Sequence, residues 1–221
     1  MFPLRDNIPS RKLPFVTIGI ILINIAVFVY ELSLGNLGLE EFVLLYGLVP
    51  GNVDFNNTET LYPFISSAFL HGGWLHIISN MWFLWVFGDN VEDYFGHFSF
   101  LFFYILSGIA AAIAQYIIDP TSTIPMIGAS GAVAGVLGSY LLLFPRSKVL
   151  TLVFIFIFIT AIEIPAPIML GLWFALQVLS GIASLDTGLV VGGLIAYWAH
   201  IAGFIYGLVI AAISKFSNPK V

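Results

Sequence analysis

The chain is divided into apolar runs too long and too poor in charge to be buried inside a soluble domain. Leu13 to about Leu34 is the first. About 20 residues at a rise of roughly 1.5 Å cover the roughly 30 Å of a bilayer's hydrocarbon core. Five more follow: Trp74 to about Phe87, Phe98 to about Ile118, Ser130–Phe144, Ile164 to about Leu179, and Leu194 to about Ser214. Hydrophobic residues make up 60% of the chain and charged residues 9%, so the solvent for most of it is lipid. The expected fold class is an all-α polytopic membrane protein, a bundle of six transmembrane helices with residues 13–214 as one membrane domain.

The segments between the runs are short, with one exception. Residues 1–12 read as a polar arm. Residues 35–73 form a long connection that carries Glu40, Glu41, Asp54 and Glu59 and no Lys or Arg. Within it, Leu37–Tyr46 mixes apolar and acidic positions, a pattern suited to lying at the membrane interface. Gly88-Asp89-Asn90 ends the second run, and Pro145-Arg146 closes the fourth. Pro165 and Pro167 suit the first turn of the fifth helix. Val149–Glu163 is apolar and rich in β-branched and aromatic residues. It is too short to span with a helix following so soon, and reads as an interfacial or extended segment. No second domain and no internal repeat is visible.

The few charges orient the bundle. All 7 basic residues fall in the N-terminal arm, in Arg146 and Lys148 between runs four and five, or in Lys215 and Lys220 at the end. With six spans these three places share one side. The positive-inside rule makes that side the cytoplasm, with 1–12 a cytoplasmic arm, 215–221 a cytoplasmic tail and loop 35–73 outside. Formal charge is −5 with no basic stripe, which argues against nucleic acid as a partner. No cysteine is present, so neither disulfides nor thiolate chemistry enter. The first run, about 20 residues with no small-residue cleavage site after it, does not read as a cleavable signal peptide. A short N-terminus without a targeting segment suggests the plasma membrane of a prokaryote.

Polar residues at the ends of these runs carry the chemistry. Ser130 stands in Gly128-Ala129-Ser130-Gly131 at the mouth of the fourth run. That run has about 15 residues and reaches roughly 22 Å, less than the core it crosses. Pinned at its other end by Arg146 and Lys148, it places Ser130 below the outer boundary, under a water-filled dip. A serine here is a natural N-cap. The same position gives an oxyanion free backbone N–H groups and positive potential. His200 tips the balance, because an ionisable residue inside a span is a functional hypothesis by default. His200 shares a helical face with Gly203 and Gly207, and the fourth run has Gly131, Gly135 and Gly138. Small-residue stripes let two helix backbones approach closely, which would bring imidazole to hydroxyl. A serine needs such a base to act as a nucleophile. No carboxylate is placed to complete a triad, since Asp119, Glu163 and Asp186 sit at helix ends and Asp89, Glu92 and Asp93 at the other side. A Ser–His dyad is the expectation. His76 and Asn80, at i and i+4 at the outer end of the second run, can both donate to an oxyanion. His71 and His76 as metal ligands are disfavoured, with no HExxH and no third ligand in view.

Together these elements resemble the rhomboid family of intramembrane serine proteases. The resemblance rests on Phe69-Leu70-His71-Gly72-Gly73-Trp74-Leu75-His76, Asn80, Phe87-Gly88-Asp89-Asn90-Val91-Glu92-Asp93, Gly128-Ala129-Ser130-Gly131 and Ala199-His200-Ile201-Ala202-Gly203. It covers nearly the whole chain after residue 40. It implies a six-helix core, Ser130 as nucleophile, His200 as general base and then acid, and His76, Asn80 and the Ser130 N–H as the oxyanion hole. Gly128, Gly131, Gly135, Gly203 and Gly207 support the helix packing. The implied substrates are single-span membrane proteins that enter between spans two and five. No cofactor and no metal are implied.

Two positions depart from the family pattern. Tyr62-Pro63 stands where many rhomboids have Trp-Arg. Ala134 stands where many have an aromatic residue stacked on the histidine, so the imidazole would be held by something else, such as a neighbouring aromatic. A catalytically inactive rhomboid-like protein that binds membrane clients is the alternative, although that class typically lacks the serine or the histidine. A small transporter is disfavoured by the lack of buried charge for coupling.

Overall fold

The computed structural model describes residues 2–155, 158–186 and 196–217. Its elements run β1 (Phe2–Asp6), α1 (Phe15–Ser33), α2 (Gly35–Tyr46), α3 (Pro63–Ser66), α4 (Trp74–Phe95), α5 (His97–Ile118), α6 (Ser130–Leu143), β2 (Lys148–Ile155), β3 (Phe158–Pro165), α7 (Ala166–Asp186) and α8 (Tyr197–Ser217). Among the described residues four helices, α1, α5, α7 and α8, are long and apolar enough to cross a membrane. α6 is apolar but has only 14 residues. α4 has 22, with Asp89, Glu92 and Asp93 in its last two turns. The expected start of the sixth run at Leu194 and the end of the tail at 218–221 lie outside the described residues.

The architecture is mostly helical but not all-α. β2 and β3 form an antiparallel hairpin from Lys148↔Pro165 to Ile155↔Phe158. β1 adds to the free edge of β2, with Phe2 opposite Leu152 and Asp6 opposite Val149. The N-terminal arm read as merely polar thus supplies an edge strand. Two causes act together. The β-branched and aromatic residues of 149–163 favour a pleated surface, with Val149 and Thr151 turned inward and buried. An extended segment must also pair its backbone groups, and a hairpin plus a third strand does so without a helix. The sheet is fastened to the bundle where the Trp82 indole N–H donates to the Pro3 carbonyl at 2.5 Å.

α4 runs two turns beyond the expected stop at Gly88-Asp89-Asn90. The polar residues there find partners brought by other elements, so they do not end the helix. Asn90 Nδ2 donates to Asp6 at 2.9 Å. Glu92, fully buried, accepts from the first turn of α1. Gly96, at φ +81°, then turns the chain directly into α5.

α6 is the centre of the bundle, and every residue from Gly131 to Tyr140 is buried. A Cβ on Gly203 would clash with the Gly131 carbonyl, and one on Gly207 with the Gly135 carbonyl. α6 and α8 therefore meet backbone to backbone. The Ser139 hydroxyl adds a 2.8 Å bond to the Gly207 carbonyl across the contact. α7 packs more loosely and is the least buried of the four long apolar helices.

Candidate active site

The approach to α6 is held from several directions. Met126 N and the Leu48 carbonyl lie 2.8 Å apart, Gly51 N donates to the Ser122 carbonyl at 2.8 Å, and Gly128 N donates to the Ser67 carbonyl at 2.8 Å. Gly128 does not sit in a helix interface with the other small residues. It lies in this loop at φ +118°, where a Cβ would stand 2.5 Å from His76 Nε2. Both its dihedral and its neighbour require glycine.

Ser130 occupies the first helical position of α6, and Ala129, not the serine, stands at the N-cap. The Oγ lies 2.7 Å from His200 Nε2, linking residues 70 apart in sequence. His200 stands in the first turn of α8, beside the Gly131–Gly203 contact that sets the spacing between the two helices. Its second nitrogen, Nδ1, lies 2.8 Å from Gln177 Oε1 on α7. The Trp173 ring, one turn earlier on α7, lies 5.9 Å from the imidazole at 32°. With Ala134 unable to support the ring from α6, α7 holds it instead.

α4 presents the donors. Gly72 N lies 3.4 Å from His76 Nδ1, which leaves Nε2 facing Gly128. Asn80 Nδ2 is 3.1 Å from His71 Nε2. His71 is 2% exposed, and burial together with nearby His76 holds its imidazole down at about 4, so it stays neutral and accepts. An amide nitrogen has two hydrogens, so one remains for another acceptor. The His71 backbone N is itself bound by the buried Glu31 carboxylate at 3.2 Å to each oxygen.

These side chains share a cavity of about 380 Å³, lined by His76, Asn80, Gly128, Ser130 and His200 and extending to Phe83 and Trp173. A second cavity, of about 540 Å³, carries Glu40, Gln115 and Asp119 in its wall. His76, Met126, Ile127 and Ala196 line both, so the two cavities share a wall to which the loop before α6 contributes. The arrangement offers a hydroxyl beside an imidazole, hydrogen-bond donors across a void, and room for an extended chain. Tyr62, at one of the family departures, anchors the outer connection through a 2.7 Å bond from its hydroxyl to the Leu45 carbonyl.

Three residues around the site escaped sequence reasoning. Gln177 is a lone amide in an apolar run, and that isolation was the available signal. Glu31 is a carboxylate within the first run and signals a partner in the same way. Trp173 carries no signal in a chain with 5 tryptophans.

Comparison with known proteins agrees over most of the chain. A model of the Rhomboid domain matches residues 58–215. Rhomboid-like protein 11, chloroplastic, of Arabidopsis thaliana is 29% identical over 131 residues, 59% of this chain and 43% of that protein. Rhomboid protein 1, mitochondrial, of Saccharomyces cerevisiae is 32% identical over 149 residues, 65% of this chain and 39% of that one. Rhomboid protease GluP of Bacillus subtilis is 33% identical over 115 residues, 45% of this chain and 22% of that one. The chain thus spans less than half the length of these relatives.

Proposed function

From the premise that this chain belongs to the rhomboid family, we propose that it is an intramembrane serine endopeptidase that cuts membrane proteins in or near their spans. The 2.7 Å approach of Ser130 Oγ to His200 Nε2, at the wall of a cavity below the ends of apolar helices, carries this reading. We take α4 and α6 as crossings too, making six with both termini cytoplasmic, on the distribution of Lys and Arg.

In the proposed reaction Ser130 Oγ attacks the carbonyl carbon of the scissile peptide while its proton passes to His200 Nε2. The oxyanion meets the Ser130 N–H, His76 Nε2–H and the free hydrogen of Asn80 Nδ2. His200 then gives its proton to the departing amine as the C–N bond breaks. Water, deprotonated by His200, hydrolyses the acyl-enzyme and restores Ser130. No cofactor enters. Substrates are single-span proteins, admitted between α4 and α7 where Phe83 and Trp173 line the cavity. A prokaryotic plasma membrane is the proposed setting, although the similar proteins include chloroplastic and mitochondrial ones.

Labelling of the purified protein by a fluorophosphonate probe tests the reading. Labelling lost in both Ser130→Ala and His200→Ala is the expected result. A folded wild type, in lipid, that neither labels nor cleaves a transmembrane substrate would turn the assignment to a client-binding, inactive rhomboid-like protein.

A further inference from the structure

A general base is defined by both of its ring nitrogens. His200 Nε2 can take the Ser130 proton only if it is the bare nitrogen, and that requires the hydrogen to be on Nδ1. In water-soluble triads a carboxylate receives that hydrogen. Here the two buried glutamates are engaged elsewhere, Glu31 with the His71 backbone and Glu92 with the start of α1. A further carboxylate at membrane depth would carry a heavy desolvation cost. An amide oxygen accepts the same hydrogen with no charge to desolvate. Gln177 Oε1 stands at 2.8 Å from Nδ1 and fills that place.

We infer that Gln177 is the positioning residue for His200, making the site a hydrogen-bonded Ser130–His200–Gln177 array rather than a dyad. This deepens, and rests on, the proposed proteolytic function. Gln177 accepts from Nδ1–H, selects the tautomer with Nε2 free, and sets the plane of the ring. Trp173 lies one turn before it on the same face of α7 and supports that ring by its side. Both of these contacts to the imidazole come from α7, the least buried of the long apolar helices. The base is fully oriented only while α7 is docked. A displacement of α7 that admits a substrate span withdraws both contacts, and return of α7 completes the site around the bound chain.

The test separates orientation from packing. Gln177→Met keeps the volume and removes the acceptor. Gln177→Glu keeps the acceptor and adds a charge that packing alone would not tolerate well. With Ser130→Ala as the zero, kcat on a transmembrane substrate should fall about ten- to a thousand-fold in Gln177→Met, with KM within about threefold. Gln177→Glu should retain kcat within about tenfold of wild type. Nitrogen-15 spectra of the histidine side chains, four in this chain, should show His200 as the Nδ1–H tautomer in wild type and mixed in Gln177→Met. His200→Ala assigns the signal, thermal melting reports folding, and Gln177→Leu replaces Met if that variant melts early. Wild-type kcat and tautomer in Gln177→Met, or an equal loss in Met and Glu, would overturn the inference. A wild type inactive on every substrate, with a tautomer that still follows Gln177, would sink the proteolytic reading and leave the orienting role standing.

Discussion

Glu92 on α4 closes the first turn of α1 at Thr17. One carboxylate oxygen accepts from Thr17 N at 2.8 Å and from the Thr17 hydroxyl at 2.7 Å, while the other accepts from Val16 N at 3.0 Å and lies 2.6 Å from His97 Nδ1. α1 begins at Pro14-Phe15 with no side-chain cap of its own. A helix start otherwise leaves its first N–H groups without partners, and here a neighbouring helix supplies the acceptor.

Glu92→Ala should therefore cost about 2–4 kcal/mol of stability, since it strands several buried donors at once. Glu92→Gln, which keeps one acceptor oxygen, should cost about half as much. Unfolding midpoints of the three proteins in one detergent check the order. A Glu92→Ala variant as stable as wild type would remove the capping role.

Gly203→Val should damage both stability and activity. Its side chain would enter the space of the Gly131 carbonyl, and α8 would have to shift away from α6. Overpacking of this kind costs about 1–3 kcal/mol or more. The shift also lengthens the 2.7 Å gap between Ser130 and His200, so labelling by the fluorophosphonate should fall at least about tenfold. Full labelling would contradict the tight contact.

Asn80→Ala should lower kcat by about ten- to a thousand-fold if its amide donates to the oxyanion. His71→Leu should act in the same direction and more weakly, because His71 holds the amide and does not meet the substrate. An unchanged rate in Asn80→Ala would take that residue out of the oxyanion hole.

Asp6 gives a pH dependence. Its carboxylate accepts from Tyr140 Oη at 2.5 Å and from Asn90 Nδ2 at 2.9 Å. Burial raises it above the ordinary carboxylate value, outweighing the opposing Tyr140 bond. The folded state then binds the proton more tightly than the unfolded state. The stabilisation is full below the unfolded value of about 3.9 and is lost as pH rises through the raised folded value. The protection of the β1 amides, taken relative to their intrinsic base-catalysed exchange, should fall across that window in wild type and stay nearly flat in Asp6→Asn. Protection that grows with rising pH would reverse the assignment.

Helices whose cues are local were legible. The runs read as Phe98–Ile118 and Ser130–Phe144 became α5 and α6 within a residue, because apolar content and terminal Gly and Pro act over one or two turns. The interfacial pattern at Leu37–Tyr46 became α2. Gly88-Asp89-Asn90 reads as the end of α4 from sequence, because the partners of Asn90 and Glu92 that let the helix continue, Asp6 and Thr17, come from elsewhere in the chain. β1 was invisible for the same reason. Five residues from Phe2 to Asp6 are a strand only because β2 offers them an edge.

The sequence by itself determined that the chain belongs in lipid, roughly where its apolar helices lie, and which small-residue faces let two of them touch. These follow from properties each segment carries alone, namely apolar area and side-chain size. The tertiary structure decided which polar atom answers which. It gave the start of α1 to Glu92, the Asn80 amide to His71, and the far nitrogen of His200 to Gln177, 23 residues away on another helix. Hydrogen bonds act over about 3 Å and depend on direction, so such pairings exist only once distant elements have packed.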